Sequence, residues 1–424
     1  MLTSLLNMID TIMIGSMGDS AVAAVGLANQ WFFIYTLGVF GIVSGSTIFV
    51  AQYFGKGDME NLQVPVAYSI FLCAVLSCVF GFMAMLTPDT VMSLFTGDSS
   101  TVADGVPYLR IASISYFMLA LSLPIATAMR TTESAVIPLV VTGSALLINT
   151  ALNYVLIYGH LGAPALGVTG AAIATTTARI IETVIIVGFT FSDRVKIKIK
   201  AKYFKIRRDF IGKYIKTIAP VVGNEAMWGL GTSMYNVMFG HTNNAIVAAN
   251  QVSKNLEQII TALSIGVASA GAVIVGRKIG EREPEEAYAY GGKFAILSSV
   301  TGIGLGVVML AFMPLYLKLF SISPEAKRYA EYLIAAYAIF MGFKMYNYMN
   351  IVGILRSGGD TRFCLILDTG SVWLIGVLLT FLALFVFDAP FWVVALCIVS
   401  EELVKATVGF KRFKSKKWIN DLVN

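Results

Sequence analysis

Long apolar blocks separated by short polar breaks set the pattern of this 424-residue chain. Each block has roughly 20 residues or more, which is the length of α-helix that crosses the hydrocarbon core of a bilayer. Spanning β-strands would instead alternate polar and apolar positions over about 10 residues, and such segments are absent from the sequence. The pattern therefore predicts an all-α polytopic membrane protein with twelve spans. The predicted spans are residues 1–15, 20–53, 62–87, 107–130, 136–159, 166–191, 214–239, 244–277, 289–317, 329–355, 363–386 and 390–410.

The composition agrees with this pattern. Hydrophobic residues make up 57% of the chain and charged residues 13%, whereas a soluble domain carries about 25% charged residues. The four cysteines lie inside apolar blocks, and His160 and His241 stand alone in loops. We therefore expect no metal site built from cysteine and histidine.

Lysine and arginine are distributed unequally between the two sets of loops. Twenty-two lie in one set, which includes the stretch from Arg194 to Lys216 and the C-terminal tail, and three lie in the other. Cytoplasmic loops carry the excess of basic residues in membrane proteins. We therefore expect a multi-pass protein of the cell (plasma or inner) membrane with both termini in the cytoplasm. The net charge of +6 then reflects topology and anionic headgroups rather than nucleic-acid binding.

The two halves of the chain repeat each other at one constant shift in numbering, which takes position 13 to position 238. Identities at this shift include Met13/Met238, Gly15/Gly240, Ala23/Ala248, Gly41/Gly266, Ser44/Ser269, Val50/Val275, Gly55/Gly280 and Glu60/Glu285. Six spans per repeat place both halves in the same orientation, as in transporters built from two parallel repeats. We predict an N-terminal lobe at 1–192, a basic cytoplasmic linker at 193–213, a C-terminal lobe at 214–410 and a basic cytoplasmic tail at 411–424.

Two carboxylates stand in spans where the bilayer makes a charge costly. Asp10 lies in LLNMIDTIMIG, and Glu225 lies in APVVGNEAMWGLG just after Pro220. A desolvated carboxylate binds a proton or a cation reversibly, so both are candidate coupling sites. The structural alternatives are that Asp10 caps a helix near Gly15 and that Glu225 caps a helix or belongs to an ion pair.

The other charges within the spans form candidate pairs that neutralise one another inside the membrane. Opposite charges three or four residues apart share one helix face, and Lys344 needs a partner from a neighbouring span. The candidate pairs are Arg179 with Glu182, Lys254 with Glu257, Lys344 with Asp368, and Glu401 or Glu402 with Lys405.

Five segments, spread over almost the whole chain, resemble one family. They are NMIDTIMIGSMGDSAVAAVGLANQ, GSTIFVAQYFGKGD, LGAPALGVTGAAIATTTARI, VAANQVSKNLEQIITALSIGVASAGAVIVGRKIGE and GILRSGGDTRF. The chain resembles the MATE (multidrug and toxic compound extrusion) transporters of the MOP superfamily. The resemblance implies twelve helices in two pseudo-symmetric six-helix lobes, and export of organic, often cationic, compounds against inward H⁺ or Na⁺. It implies no cofactor beyond this coupling ion.

The resemblance also implies roles for individual residues. Asp10 matches the acid of the family's first helix, and Glu225 matches the acid of its seventh, so that Na⁺ would bind near one of them. The family's fifth-helix Asn and Asp fall on Asn149 and Asn153, so the second position is neutral here, and Thr175 joins this network. The polar contacts of the cavity would come from Asn7, Gln30, Asn149, Asn153 and Asn224.

The chain departs from the family pattern at two places. Some members carry an Asp in the tenth helix, where this chain has Lys344 and Met345, so a complete Na⁺ site in the second lobe is not expected. Members also have further residues before the position of Met1. We therefore expect an N-terminally truncated first helix, because 15 residues rise only about 22 Å.

These features favour a monomeric secondary active multidrug transporter that works by alternating access on small organic, cationic or amphiphilic substrates. The sequence has no Walker A, H-E-x-x-H, G-x-S-x-G or dinucleotide motif, so we do not expect an enzyme. The main alternative is a flippase or exporter of a lipid or lipid-linked precursor in the same superfamily. An intramembrane enzyme or receptor would call for a clustered polar site or a large extramembrane domain, and a channel for a ring of charges.

Overall fold

The computed structural model describes Met13, residues 19–320 and residues 322–423. Asn7 and Asp10 lie outside the described residues, as does most of the predicted span 1–15. The regular secondary structure of the described part is all helical. Eight of its helical segments are long and apolar enough to cross a membrane. The protein is thus an all-α polytopic membrane protein, as predicted.

The chain divides into two compact units, of which the first comprises residues 1–50 and 58–214. Helix boundaries in this unit follow local chemistry. The Asp98 carboxylate accepts hydrogen bonds from the backbone of Ser100 and Thr101 and starts a helix there, while Gly159 ends another in the left-handed conformation (φ 75°). Hydrogen bonds from the Thr101 and Ser100 side chains also lower the pKa of Asp98 to about 2. The first seven α-helices all begin in this unit, and α8 (Arg208–Gly240) also begins in it. The seven are α1 (Asp19–Lys56), α2 (Gln63–Leu86), α3 (Pro88–Ser93), α4 (Ser99–Ala112), α5 (Ile114–Thr131), α6 (Val136–Tyr158) and α7 (Gly167–Phe189).

The second unit comprises residues 51–57, which are the end of α1 and the residue after it, and residues 215–424. Its distinctive feature is that three helical segments have π geometry, which widens the backbone helix. The remaining helices are α8 (Arg208–Gly240), α9 (Asn244–Gly280), α10 (Pro284–Leu317), α11 (Pro324–Tyr348), α12 (Thr361–Ser371), α13 (Leu378–Phe381) and α14 (Phe391–Lys414). The π segments are Met349–Leu355, Val372–Val377 and Leu382–Val386.

The helix boundaries carry the same repeat as the sequence. Helices α1, α4 and α6 begin at positions 19, 99 and 136, and α9, α11 and α12 begin at positions 244, 324 and 361, so each pair is related by the shift found in the sequence. The same shift takes the end of α7 at Phe189 to the end of α14 at Lys414. The repeat inferred from identities is therefore a repeat of folded structure.

The two repeats are not identical in their helix breaks. The predicted span 107–130 is interrupted at Ser113, between α4 and α5, whereas its counterpart runs from Pro324 through the π segment to Leu355. The two longest helices, α1 with 38 residues and α9 with 37, are each continuous. At 1.5 Å per residue each is about 55 Å long, so both extend beyond a hydrocarbon core of about 30 Å.

Large apolar side chains are exposed on both units. Phe71 and Leu139 of the first unit are 58% and 71% exposed, and Ile296 and Leu374 of the second are 68% and 69% exposed. Apolar surface of this extent is not stable in water, and lipid contact explains it. Inside the second unit, small residues allow close helix packing. A Cβ on Gly306 of α10 would lie 2.2 Å from a backbone oxygen of α11.

The predicted linker 193–213 is part of the first unit. Gln63 of α2 donates to the backbone oxygen of Lys196 at 2.9 Å and accepts from the backbone nitrogen of Lys198 at 2.9 Å. Lys202 forms an ion pair with Glu60 at 2.5 Å. Because α8 begins at Arg208, the second-half helix starts six residues before the predicted boundary at 214.

Candidate functional site

Helices α6 and α7 bring together three of the predicted polar residues. Asn149 Nδ2 donates to Thr175 Oγ1 at 3.2 Å, and Asn153 Nδ2 donates to Asn149 Oδ1 at 3.4 Å. Asn149 and Asn153 lie one turn apart on α6 and are buried. These described side chains, all neutral, are therefore hydrogen-bonded to one another, and the predicted acid of the network, Asp10, lies outside the described residues.

Glu182 on α7 is held by two donors. Arg179 Nη1 forms an ion pair with one carboxylate oxygen at 2.7 Å, and Thr142 Oγ1 donates to the other at 2.8 Å. Both oxygens are thus satisfied, so the predicted pair of Arg179 and Glu182 has a structural role in this geometry. Gln30 on α1, which was predicted to contact the cavity, is exposed.

Glu225 on α8 lies in an ion pair that joins two membrane helices. Arg356 Nη1 donates to Glu225 Oε1 at 2.9 Å, and the Arg356 and Glu225 side chains are 2% and 12% exposed. Arg356 counted only as a basic loop residue in the sequence, whereas it follows directly after the π segment and is buried. The sequence feature that could have singled out Arg356 is its position in GILRSGGDTRF, one of the segments that resemble the family. Any cation at Glu225 must compete with this guanidinium.

A second buried cluster centres on Lys405 of α14. Its ammonium lies 2.8 Å from Asp368 Oδ1 and 3.1 Å from Glu401 Oε1. Asn224 Nδ2 donates to the second oxygen of Asp368 at 3.0 Å. Asn224, which the sequence predicts as a cavity residue, thus donates to an acid of the second unit.

Two lysines have partners other than the predicted ones. Lys344 was expected to pair with Asp368, but it forms its ion pair with Glu257 of α9. Lys254 was expected to pair with Glu257, but its ammonium donates to Asn236 Oδ1 at 2.8 Å. Spacing along the sequence shows which residues share a helix face, whereas the packing of neighbouring helices decides which partner is near.

Among the described residues, no group of three His, Cys, Asp or Glu side chains is arranged to hold a metal ion. The chemistry of this part of the molecule is therefore that of buried carboxylates, their basic partners and neutral amides. Such groups can exchange protons or monovalent cations.

Comparisons with known proteins agree with this architecture. The family model described as MatE matches residues 1–155 and 220–382. The protein "Uncharacterized transporter YisQ" of Bacillus subtilis is 24% identical over 97% of this chain and 90% of its own length. The "Probable multidrug resistance protein NorM" of Thermotoga maritima is 21% identical over 98% of this chain and 89% of its own length.

A solved structure shares the fold. The MOP superfamily transporter from Pyrococcus furiosus superposes with a TM-score of 0.87 at 21% identity, over 98% of this chain and 93% of its own. The match to the family model covers most of the chain, including helices of both units. This chain belongs to the MatE family.

Proposed function

We propose that this protein is a secondary active multidrug efflux transporter that exports small organic compounds, cationic ones among them, in antiport with H⁺ or Na⁺. Relatives named as multidrug resistance proteins support this proposal. The observation that carries it is the set of largely buried acids on apolar helices, such as Glu225 and Asp368, whose side chains are 12% and 13% exposed. Ionisable groups inside a membrane are expensive and mark the paths of ions and substrates.

Asp10 and Glu225 have different parts in this proposal. Asp10 is the primary coupling carboxylate, and Asn149, Asn153 and Thr175 provide the polar network of the same unit. Because Arg356 already neutralises Glu225, Glu225 binds a cation only when that ion pair opens. Exchange then requires that the coupling ion and the substrate compete for one charge or stabilise opposite states in alternating access.

The remaining features follow from this function. The protein is a monomer of the cell membrane with both termini in the cytoplasm, and it needs no cofactor and performs no chemical conversion. The repeats are the two lobes of an alternating-access transporter, as in other transporters built from parallel repeats. The linker 193–213 joins them on the cytoplasmic side.

Efflux of the cationic dye ethidium from vesicles, driven by an imposed H⁺ or Na⁺ gradient, tests the proposal. We expect Asp10→Asn to reduce gradient-driven efflux roughly tenfold or more, because a charge-assisted contact of about 1.5–3 kcal/mol is lost. Glu225→Gln should have a smaller effect on coupling. Glu182→Gln is the matched control, since it removes a buried acid that is already satisfied by Arg179 and Thr142.

Undiminished gradient-driven efflux in Asp10→Asn would contradict the assigned coupling site. If neither gradient moves ethidium in the unmodified protein, then the multidrug function itself is wrong.

A further inference from the structure

We propose that the Glu401 carboxyl is a reversible proton-binding site of the second unit, separate from Asp10 and Glu225. Lys405 and Asp368 are its positioning partners. Its part in coupling rests on the proposed transport function, whereas the binding of a proton does not.

The geometry leaves one carboxylate oxygen of Glu401 without a donor. Its Oε1 lies 3.1 Å from the Lys405 ammonium. Its Oε2 is buried and has no hydrogen-bond partner among the described residues. An ionised oxygen in that situation is costly, whereas a protonated carboxyl has a hydrogen to donate and a smaller cost of burial.

A second unpartnered group lies beside this oxygen. The Tyr235 side chain on α8 is 6% exposed, and its hydroxyl also has no hydrogen-bond partner among the described residues. The π segment places Gly376 against both groups, since a Cβ there would lie 2.2 Å from the hydroxyl and 2.8 Å from Glu401 Oε2. Both groups thus border the space that a side chain at position 376 would fill, so a protonated Glu401 has the Tyr235 hydroxyl as its nearest acceptor in this proposal.

Charge balance supports the same assignment. Asp368, Glu401 and Glu402 surround Lys405, so with every group ionised the cluster has a net charge of −2 (three negative charges and one positive). Asp368 accepts from Asn224, and Glu402 Oε2 accepts from Asn347 Nδ2 at 2.7 Å. Among the described residues, Glu401 is the acid of this cluster whose fully buried oxygen has no hydrogen-bond partner, so a proton there displaces no existing bond.

The bound ion is a proton rather than a sodium ion. The Lys405 ammonium already occupies the cationic position beside Glu401 Oε1. A sodium ion there would be repelled by this ammonium and would need several oxygen ligands. In the described part of the chain, the unpartnered Oε2 of Glu401 has the Tyr235 hydroxyl oxygen beside it. A proton converts the carboxylate to a neutral carboxyl and requires no further ligand.

The internal repeat relates this place to the candidate coupling site of the first unit. At the shift that relates the two halves, Tyr235 corresponds to Asp10. Glu401 corresponds to Thr176, next to Thr175 of the amide network. In the sequence, the repeat thus pairs the tyrosine beside Glu401 with the candidate coupling acid of the first half.

The described groups that interact electrostatically with Asp368, Glu401, Glu402, Lys405 or Tyr235 come from four helices and from the residue after a π segment. They are Cys397 on α14, Cys364 on α12, Glu225 and Tyr235 on α8, Tyr337, Lys344 and Tyr348 on α11, and Arg356. When Glu401 is protonated, the number of ionised carboxylates paired with Lys405 falls from two to one, and only Asp368 remains. The Lys405–Asp368 pair between α14 and α12 is strengthened as a result.

Infrared difference spectroscopy between high and low pH, on the purified full-length protein without substrate, tests the proton site. We expect the carbonyl band of a protonated, buried carboxyl in the unmodified protein and its loss in Glu401→Gln. The band should persist in Glu402→Gln and in Glu182→Gln, which removes a buried acid of the first unit. Tyr235→Phe should keep the band but shift its frequency, because the hydrogen-bond acceptor is removed.

An unchanged band in Glu401→Gln, or its loss in Glu402→Gln alone, would overturn the assignment. If Glu401→Gln fails to fold, then an unshifted band in Tyr235→Phe would equally refute it. H⁺-driven ethidium efflux at full rate in folded Glu401→Gln would separate proton binding from transport. Absence of efflux in the unmodified protein would count against the proposed function and leave the infrared result to decide the proton site.

Discussion

Glu225 and Arg356 bury opposite charges 2.9 Å apart between α8 and the end of the π segment. A pair of this kind gains Coulomb energy but loses the hydration of both ions, so its net contribution to stability is small. Removing one partner is different, because the remaining charge stays buried without compensation. The Glu225–Arg356 pair therefore contributes more to the specificity of helix packing than to the net stability of the fold.

Glu225→Gln should lower the free energy of unfolding by about 3–5 kcal/mol, because Arg356 is left buried without its counter-ion. Glu225→Gln combined with Arg356→Gln should recover most of this loss. Thermal unfolding of the single and double variants in the same detergent measures the coupling. Strictly additive losses would show that the two side chains do not depend on each other.

At this scale the sequence predicted which positions carry buried charge but not all of the partners. Arg179 and Glu182 are three residues apart on one helix, and their ion pair was predictable. Lys344 and Glu257 are 87 residues apart, and their contact depends on the packing of α9 with α11. Local spacing is set by the helix, whereas partners on different helices are set by tertiary packing.

Two related glycines let the ends of α1 and α9 pack backbone to backbone. A Cβ on Gly55 would lie 2.0 Å from the backbone oxygen of Arg277, and a Cβ on Gly280 would lie 2.0 Å from that of Gln52. The positions are related by the repeat, since the same shift takes 55 to 280 and 52 to 277. The crossing is thus nearly symmetric, and any side chain at either glycine would separate the two helices.

Gly280→Ala should destabilise the protein by about 1–3 kcal/mol, because the added methyl group overlaps a backbone oxygen. Gly266→Ala, on the same helix, has no heavy atom within 4 Å of the new methyl group. It should be neutral or stabilising by up to about 1 kcal/mol, as expected for alanine in place of glycine in a helix. The midpoints of thermal unfolding compare the two directly, and equal midpoints would contradict the close crossing.

The elements themselves were largely predictable. Apolar block length located both long helices to within a few residues, and the identity of residues 55 and 280 was visible in the repeat. The break at Ser113 and the π segments were not predicted. They depend on how hydrogen bonds adjust to neighbouring helices, which apolar periodicity does not encode.

In the whole molecule, the C-terminal tail is part of the second unit rather than a free extension. Trp418 is fully buried, and the Asn420 side chain donates to the backbone oxygen of Gly358 at 3.0 Å. Lys56 at the end of α1 donates to the backbone oxygen of Val423 at 2.7 Å. The tail therefore ties the end of α1 to the segment that follows Arg356.

Trp418→Ala should cost about 3–5 kcal/mol, as expected for deleting a fully buried aromatic side chain. Lys417→Ala at the adjacent, exposed position should change stability by no more than about 0.5 kcal/mol. Limited proteolysis near residues 356–360 reports the same difference, since loss of Trp418 uncovers this segment. Equal protease resistance in the two variants would show that the tail does not hold it.

The sequence by itself determined the membrane class, the repeat, the approximate helix boundaries and the residue types that carry buried charge. These properties depend on apolar block length and composition, which can be read from the sequence without knowing which helices pack together. Only the tertiary structure decided that Glu225 is neutralised by Arg356, that Lys405 is shared by Asp368 and Glu401, and that the tail is packed. Buried charges take whichever partner the helix packing brings within hydrogen-bond distance, and that distance is a property of the fold rather than of the sequence spacing.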